Sequence, residues 1–138
     1  MGNENMELNI GNLTALIGHS SDISIKDIYA GAEKAIKVTL IFIEGLVQKD
    51  HLSNFILKPL LESPYFRCAK NEDEIIDLIE SGGLYFPEQK KLLDIDSAAS
   101  DILSGNALLI FNKSAAAFSF NVQGFDTRNI TEPSNENV

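Results

Sequence analysis

The sequence predicts an α/β fold, with a mixed β-sheet flanked by helices in a single compact lobe. Residues 35–43 and 107–111 are almost continuously apolar and rich in β-branched and aromatic side chains, as in strands buried on both faces. Segments with helical spacing and clear capping signals lie between them. A chain of 138 residues is long enough for one domain with its own core and too short for two ordinary ones.

The N-terminal part predicts a loose start, a short helix and a strand. Residues 1–7 are polar and are expected to form a flexible leader, and the domain covers residues 8–138. Apolar residues then recur at helical spacing until Gly18, which ends a short first helix. Residues 22–26 alternate as in a half-buried strand, and Ile28, which is out of phase, predicts a bulge or an early end.

Residues 35–43 predict a strand in the middle of the sheet, because a strand that is apolar on both faces must be covered on both. A helix is expected from about Asp50. Pro59 lies inside its apolar stripe and predicts a kink or a restart, since proline lacks the backbone N–H and clashes with the preceding turn. Pro64 is expected to end the segment.

The next helix has the clearest boundaries. Asn71 is followed by Glu74 three residues later and by acids in the first turn, which is typical of a capped helix start. Gly82-Gly83 supplies its end. Residues 84–86 and 90–93 predict two short edge strands.

The last elements are a helix and a hairpin. Asp94 or Asp96 can cap a helix that runs through Leu103. Residues 107–111 form the second fully apolar strand, and a tight turn leads into residues 116–122, whose alternation predicts a strand with one buried face.

Charge and cysteine content exclude several classes of protein. Acids outnumber bases by 20 to 11, for a net charge of -9, so a nucleic-acid partner is not expected. Cys68 is the single cysteine and cannot form an intrachain disulfide. The longest apolar run, residues 38–43, is far shorter than the roughly 20 residues that span a bilayer. We therefore expect this chain to be soluble.

No residue pattern predicts catalysis, a metal site or a cofactor. His19 and His51 are the available imidazole bases, and each fits an ordinary surface or capping position. Arg67 beside Cys68 could lower the pKa of the thiol, but a passive cysteine explains the sequence as well. Metal-ligand spacings and phosphate-binding glycine patterns are missing. We predict a protein that is not an enzyme and has no catalytic residue, metal or cofactor.

Four stretches resemble the N-terminal region of the A subunits of GerA-family spore germinant receptors. They are Leu40-Ile41-Phe42-Ile43-Glu44-Gly45-Leu46-Val47-Gln48-Lys49, Phe55-Ile56-Leu57-Lys58-Pro59-Leu60, Ile102-Leu103-Ser104-Gly105-Asn106-Ala107-Leu108-Leu109-Ile110 and Gly124-Phe125-Asp126-Thr127-Arg128-Asn129-Ile130-Thr131-Glu132-Pro133-Ser134-Asn135-Glu136. The family pattern has an acid where this chain has Gln48 and often a threonine where it has Asn135. The expected Gly-Pro continuation does not follow, so the resemblance implies the first lobe of a longer subunit.

The resemblance implies a function in nutrient-triggered germination. The domain would face the spore core at the inner membrane, and its partners would be a second lobe and the membrane part of the same subunit, the B and C subunits, and a small nutrient germinant. It would act in ligand sensing or in signal relay to the membrane part, or alternatively serve as a structural assembly module that mediates subunit contacts without a small molecule. The residues expected to bind a ligand or a neighbouring subunit are Arg128, Glu132 and Glu136 in the last stretch and Glu44 in the first.

Overall fold

In the part of the chain that the structure describes, five strands form one sheet and six α-helices cover its faces. The structure is a computed structural model and describes residues 7–18, 22–84 and 89–122. The elements in chain order are α1 (Ile10–Ile17), β1 (Ile23–Ala30), β2 (Ile36–Ile43), α2 (Lys49–Leu52), α3 (Lys58–Glu62), α4 (Pro64–Arg67), α5 (Glu72–Glu80), β3 (Gln89–Leu92), α6 (Ile95–Leu103), β4 (Ala107–Phe111) and β5 (Ala116–Phe120).

The strands lie in the order β1-β2-β4-β5-β3, so the stretch predicted to be central is inside the sheet. The predicted fold class, a sheet flanked by helices in one compact lobe, is confirmed. The prediction of a mixed sheet is refined, because all four pairings of the described strands are antiparallel. The reason is that α6 carries the chain back to the end of the sheet where β2 finished, so β4 starts there and runs opposite to β2.

Helices cover both faces of the sheet and bury a separate core on each. Leu109 and Phe111 of β4 pack in a core with α2 to α5, while Leu108 and Ile110 of the same strand pack in a core with α1 and α6. This division follows from the two-residue period of a strand. Burial of each such side chain contributes roughly 1.5–3 kcal/mol, which fixes the sheet between its two helical layers.

Side-chain caps start the two longest α-helices, α5 and α6, where the sequence places them. Asn71 Oδ1 accepts the Glu74 N–H at 2.9 Å, and Glu74 Oε1 accepts the Lys70 N–H at 2.8 Å, at the start of α5. Of the two acids that could cap α6, Asp94 does so, with its Oδ2 accepting the Ser97 N–H at 2.9 Å. Each cap contributes about 1 kcal/mol.

The sequence predicts a kink or a restart of the helix at Pro59, and the irregularity lies one turn before the proline. Between α2 and α3 the helix widens into a π-helical turn, Ser53–Leu57. This turn contains Phe55, whose carbonyl lies four residues before the proline, where an α-helix would clash with the proline ring. Pro64 ends α3, as predicted, but it also begins α4, because its missing N–H is not needed in the first turn.

The predicted bulge or early end at Ile28 is wrong. β1 pairs with β2 without interruption as far as Ala30. Ile23 packs in the core with α1 and α6, whereas Ile28 and Ala30 pack in the core on the other face. The shift in the sequence pattern therefore reflects a change in which face of an edge strand is covered, while the backbone stays regular.

The prediction that only one face of β5 is buried is also wrong, since all five residues of the strand are buried. Ala117 packs in the core with α6, and Ser119 on the same face is buried as well. The small and hydroxyl side chains that alternate with phenylalanines in β5 therefore lie on a face that is covered, not exposed to solvent. The predicted edge strand at 90–93 is confirmed as β3, and all of the predicted strand at 84–86 except Leu84 lies outside the described residues.

Candidate functional site

The predicted site residue Glu44 lies at the end of the sheet where the chain leaves its last strand. β2 and β5 each run antiparallel to β4, so both finish on the same side. The Gln48 N–H donates to the Val122 carbonyl at 2.7 Å and links the loop after β2 to the residues after β5. We call this side the exit end and define it by residues 44–48, 104–106 and 121–122.

Glu44 presents its carboxylate at the surface of the exit end. Its backbone N–H donates to the Asp22 carbonyl at 2.7 Å, which fixes the residue directly after β2. Its Oε1 lies 2.7 Å from Lys49 Nζ, and the Glu44 side chain is 42% exposed. An ion pair that is this exposed contributes little to stability, so the carboxylate can exchange Lys49 for another cation at small cost.

The other predicted site residues, Arg128, Glu132 and Glu136, lie outside the described residues, as does His19. Their contacts therefore stay predictions. The described chain before them ends at Val122, which belongs to the exit end together with Glu44.

A polar groove of about 340 Å³ lies beside the exit end and is lined by Gln89, Lys90, Asn106, Ser119 and Asn121. Asn106 Nδ2 donates to Ser119 Oγ at 3.2 Å. Lys90 Nζ lies 3.4 Å from Oδ2 of Asp101 on α6. The groove therefore joins β3, α6 and β5 through polar groups, in contrast to the apolar cores on either side of the sheet.

Sequence reasoning missed this groove. Gln89 donates from Nε2 to the Ile79 carbonyl at 3.0 Å, while its buried Oε1 has no hydrogen-bond partner among the described residues. A buried acceptor without a donor is uncommon in native folds. The available signal was Ser119, a hydroxyl residue between two phenylalanines that the alternation alone assigned to solvent.

The described residues show no arrangement typical of catalysis. The ring of His51 lies 5.5 Å from that of Phe55, and Cys68 is an exposed free thiol. No group of three His, Cys, Asp or Glu side chains that could hold a metal ion occurs within the described ranges. Nor does any described helix have the length and apolar character needed to cross a membrane.

Sequence comparison decides the family. The profile of the family described as Bacillus/Clostridium GerA spore germination protein matches residues 11–138, nearly the whole chain. The chain belongs to the GerA family. The prediction of a GerA-family A-subunit N-terminal domain is thereby confirmed at the level of family.

Two relatives of this GerA-family chain come from Bacillus subtilis (strain 168). Spore germination protein KA is 26% identical over 129 residues, which cover 93% of this chain and 23% of that protein. The uncharacterized membrane protein YfkQ is 24% identical over 134 residues, covering 97% of this chain and 25% of that protein. The chain thus spans about a quarter of the length of each relative.

A crystal structure has the same fold. The N-terminal domain of the A subunit of the Bacillus megaterium spore germinant receptor GerK3 superposes with a TM-score of 0.61 at 22% identity. The match covers 84% of this chain and 45% of that domain. At this identity the likeness concerns the fold, and it confirms the helix-flanked sheet as the fold of part of a GerA-family A subunit.

Two of the four stretches that carry the family resemblance cross the exit end. Residues 40–49 run out of β2 through Glu44, and residues 102–110 run from the end of α6 into β4. Both cross the exit end, because β4 begins where β2 finishes. The stretch at 124–136 follows Val122 after a single residue. The remaining stretch, 55–60, lies in the π-helical turn and α3.

Proposed function

We propose that this GerA-family chain acts in nutrient-triggered spore germination as a relay domain, with the exit end as its contact surface. The observation that carries the proposal is the 2.7 Å hydrogen bond from Gln48 N–H to the Val122 carbonyl, with Glu44 on the same loop. A movement of the chain after Val122 would pull on this hydrogen bond and so displace the loop that leads into α2. The rest of the sheet, held between two cores, would resist it.

The proposed contacts combine Glu44 with the segment that contains Arg128, Glu132 and Glu136. An exposed carboxylate paired only with an exposed lysine can take a new cationic partner, and an arginine can bind a carboxylate through two parallel hydrogen bonds. The partners would be a second lobe and the membrane part of the same A subunit, and the B and C subunits. The domain would face the spore core at the inner membrane. A switch of this kind requires that the signal favours one arrangement of the exit end over another.

A charge reversal at Glu44 tests the proposal. In spores whose A subunit carries this domain, Glu44→Arg is expected to slow nutrient-triggered germination at least tenfold while the amount of subunit is unchanged, because it places two cations where one carboxylate faced Lys49. Arg128→Ala is expected to act in the same direction. Glu62→Arg is the matched control, an exposed acid on α3, and should germinate normally. Normal germination of the Glu44→Arg spores would refute the exit-end contact.

A structural assembly module is the second candidate, favoured by one feature of β1. Ile25 and Tyr29 lie four residues apart on the same face of this edge strand and are 45% and 50% exposed. No other described strand pairs with the outer edge of β1. Apolar side chains on an open edge strand are a surface that another chain can cover.

The assembly candidate predicts self-association. Sedimentation should show a concentration-dependent shift that Tyr29→Lys abolishes and that Tyr65→Lys, at another exposed aromatic residue, leaves in place. A chain that stays monomeric up to about 1 mM, which corresponds to roughly 4 kcal/mol of association free energy, would count against this candidate.

A further inference from the structure

A cleft lies at the end of the sheet opposite the exit end. It has a volume of about 570 Å³ and is formed where the start of β2, the start of α5 and the β4–β5 turn meet. Lys37, Lys70 and Lys113 line it, one from each of these three places. We call it the lysine cleft. Three basic side chains in one cleft are notable in a chain with a net charge of -9.

The buried acid of the lysine cleft, Glu72, is occupied by the protein itself. Glu72 is buried, and its Oε1 accepts both the backbone N–H and the hydroxyl of Ser114 at 3.0 Å. Its Oε2 accepts the Lys113 N–H at 3.4 Å. Asp73 Oδ1 lies 3.4 Å from the same hydroxyl of Ser114. Glu72 thus holds the β4–β5 turn against α5, whereas Asp73 is an exposed acid at the rim of the cleft.

The lysine ammonium groups, in contrast, serve no such purpose. Within the described ranges the ion pairs involve Lys49, Lys90 and Lys91, and none involves a lysine of the cleft. Lysines that line a concave surface raise the local concentration of anions. A lysine also suits carboxylate and phosphate ligands as a point charge with three donors.

The walls of the lysine cleft are fixed before any ligand arrives. Asn112 in the turn accepts the Ile10 N–H with its Oδ1 at 2.9 Å, which ties α1 to the turn. Glu72 ties the same turn to α5 from the other side. A preformed cleft loses little conformational entropy on binding, so even a small ligand can be held.

We propose that the lysine cleft binds a small molecule that carries a carboxylate or phosphate group, with the three lysines as its cationic contacts. The volume of the cleft is that of a site for a small organic molecule. This site lies at the other end of the sheet from the exit end, so the inference does not depend on the proposed relay function.

The test is a titration of the 138-residue chain followed by backbone amide chemical shifts at constant ionic strength. Inorganic phosphate, succinate and glutamate are the probes, and sodium chloride is the reference. Saturable shifts of the amides of Lys37, Asn71 and Ser114 are expected with at least one probe. Saturation with phosphate alone assigns a phosphate ligand, and saturation with succinate or glutamate assigns a carboxylate.

Variants show whether an anion binds in the cleft or is attracted equally to any exposed lysine. Lys70→Gln combined with Lys113→Gln is expected to weaken binding about tenfold or more, since two charge-assisted contacts are lost. Lys58→Gln, at an exposed lysine on α3, is the control and should bind as the unmodified chain does. Shifts that stay linear to about 10 mM with every probe, or an equal loss in the control, would overturn the proposal. A germination defect of Glu44→Arg would stand in either case.

Discussion

Replacing Glu72 with alanine is expected to destabilise the domain by about 2–3 kcal/mol, because hydrogen bonds to a charged group contribute roughly 1.5–3 kcal/mol each and are weaker where water has access. Glu72 is 8% exposed and accepts two hydrogen bonds from Ser114 at 3.0 Å. The substitution leaves the Ser114 N–H without its acceptor in a part-buried site. It also removes an acid from the first turn of α5, where negative charge is favourable.

Glutamine at the same position separates charge from geometry. Glu72→Gln keeps one oxygen that can accept the Ser114 N–H, so the expected loss is only about 1 kcal/mol. Asp77→Ala is the matched control, since Asp77 is an exposed acid on the same helix, and a change there should stay within about 0.5 kcal/mol.

Urea unfolding followed by far-ultraviolet circular dichroism measures all three variants. Equal slopes of free energy against urea would show that the differences in midpoint report stability. A loss for Glu72→Ala no larger than that of Asp77→Ala would refute the role of Glu72 in holding the turn. A loss for glutamine as large as for alanine would show that charge, and not the hydrogen-bond acceptor, is what counts.

Three further substitutions test the fold. Gly31→Ala should lower the free energy of unfolding by more than about 2 kcal/mol, and by clearly more than Gly82→Ala does. Both glycines have positive φ, but a Cβ at Gly31 would collide with Ile36 and with the Ala69 carbonyl, whereas nothing lies within 4 Å of a Cβ at Gly82. Similar losses of stability would contradict the close approach at Gly31. Asn71→Ala should cost about 1 kcal/mol by thermal unfolding, through loss of the α5 cap, and an unchanged midpoint would contradict the cap. In urea unfolding, Leu109→Ala should lower the free energy of unfolding by about 2–5 kcal/mol, and Leu103→Ala, at an exposed residue, by less than about 0.5 kcal/mol. Equal losses would contradict the placement of Leu109 in the core.

The elements whose signals are local could be predicted from the sequence. Asn71 and Asp94 each supply an oxygen that caps the helix beginning at the next residue, so the helix start is encoded within four residues. The strands at 36–43 and 107–111 are apolar on both faces, which only a covered strand in the sheet interior satisfies.

The features that could not be predicted depend on which helix packs on each face of a strand. The phase shift at Ile28 looked like a backbone irregularity, but it arises because different helices cover the two halves of β1. Ser119 looked exposed because a hydroxyl group alternates with phenylalanines, although α6 packs over that face. Strand direction was equally hidden, since the path of α6 back across the sheet decides whether β4 runs with or against β2.

The resemblance singled out Glu44, and the structure places it on the loop that Gln48 links to Val122. Its role in a contact stays a prediction. The lysine cleft escaped prediction because Lys37, Lys70 and Lys113 are far apart in sequence and each looks like a solvated charge. Only the pairing of β2 with β4, and the hold of Glu72 on the following turn, bring them together.

Amide hydrogen exchange tests the exit end as a contact surface most directly. It compares the 138-residue chain alone with a full-length A subunit that contains it. The amides of residues 44–48 and 121–122 are predicted to exchange more slowly in the full-length subunit, while those of residues 112–115 at the opposite end keep their rates. Equal exchange at the exit end in both proteins, or added protection confined to residues 112–115, would contradict the proposed relay surface.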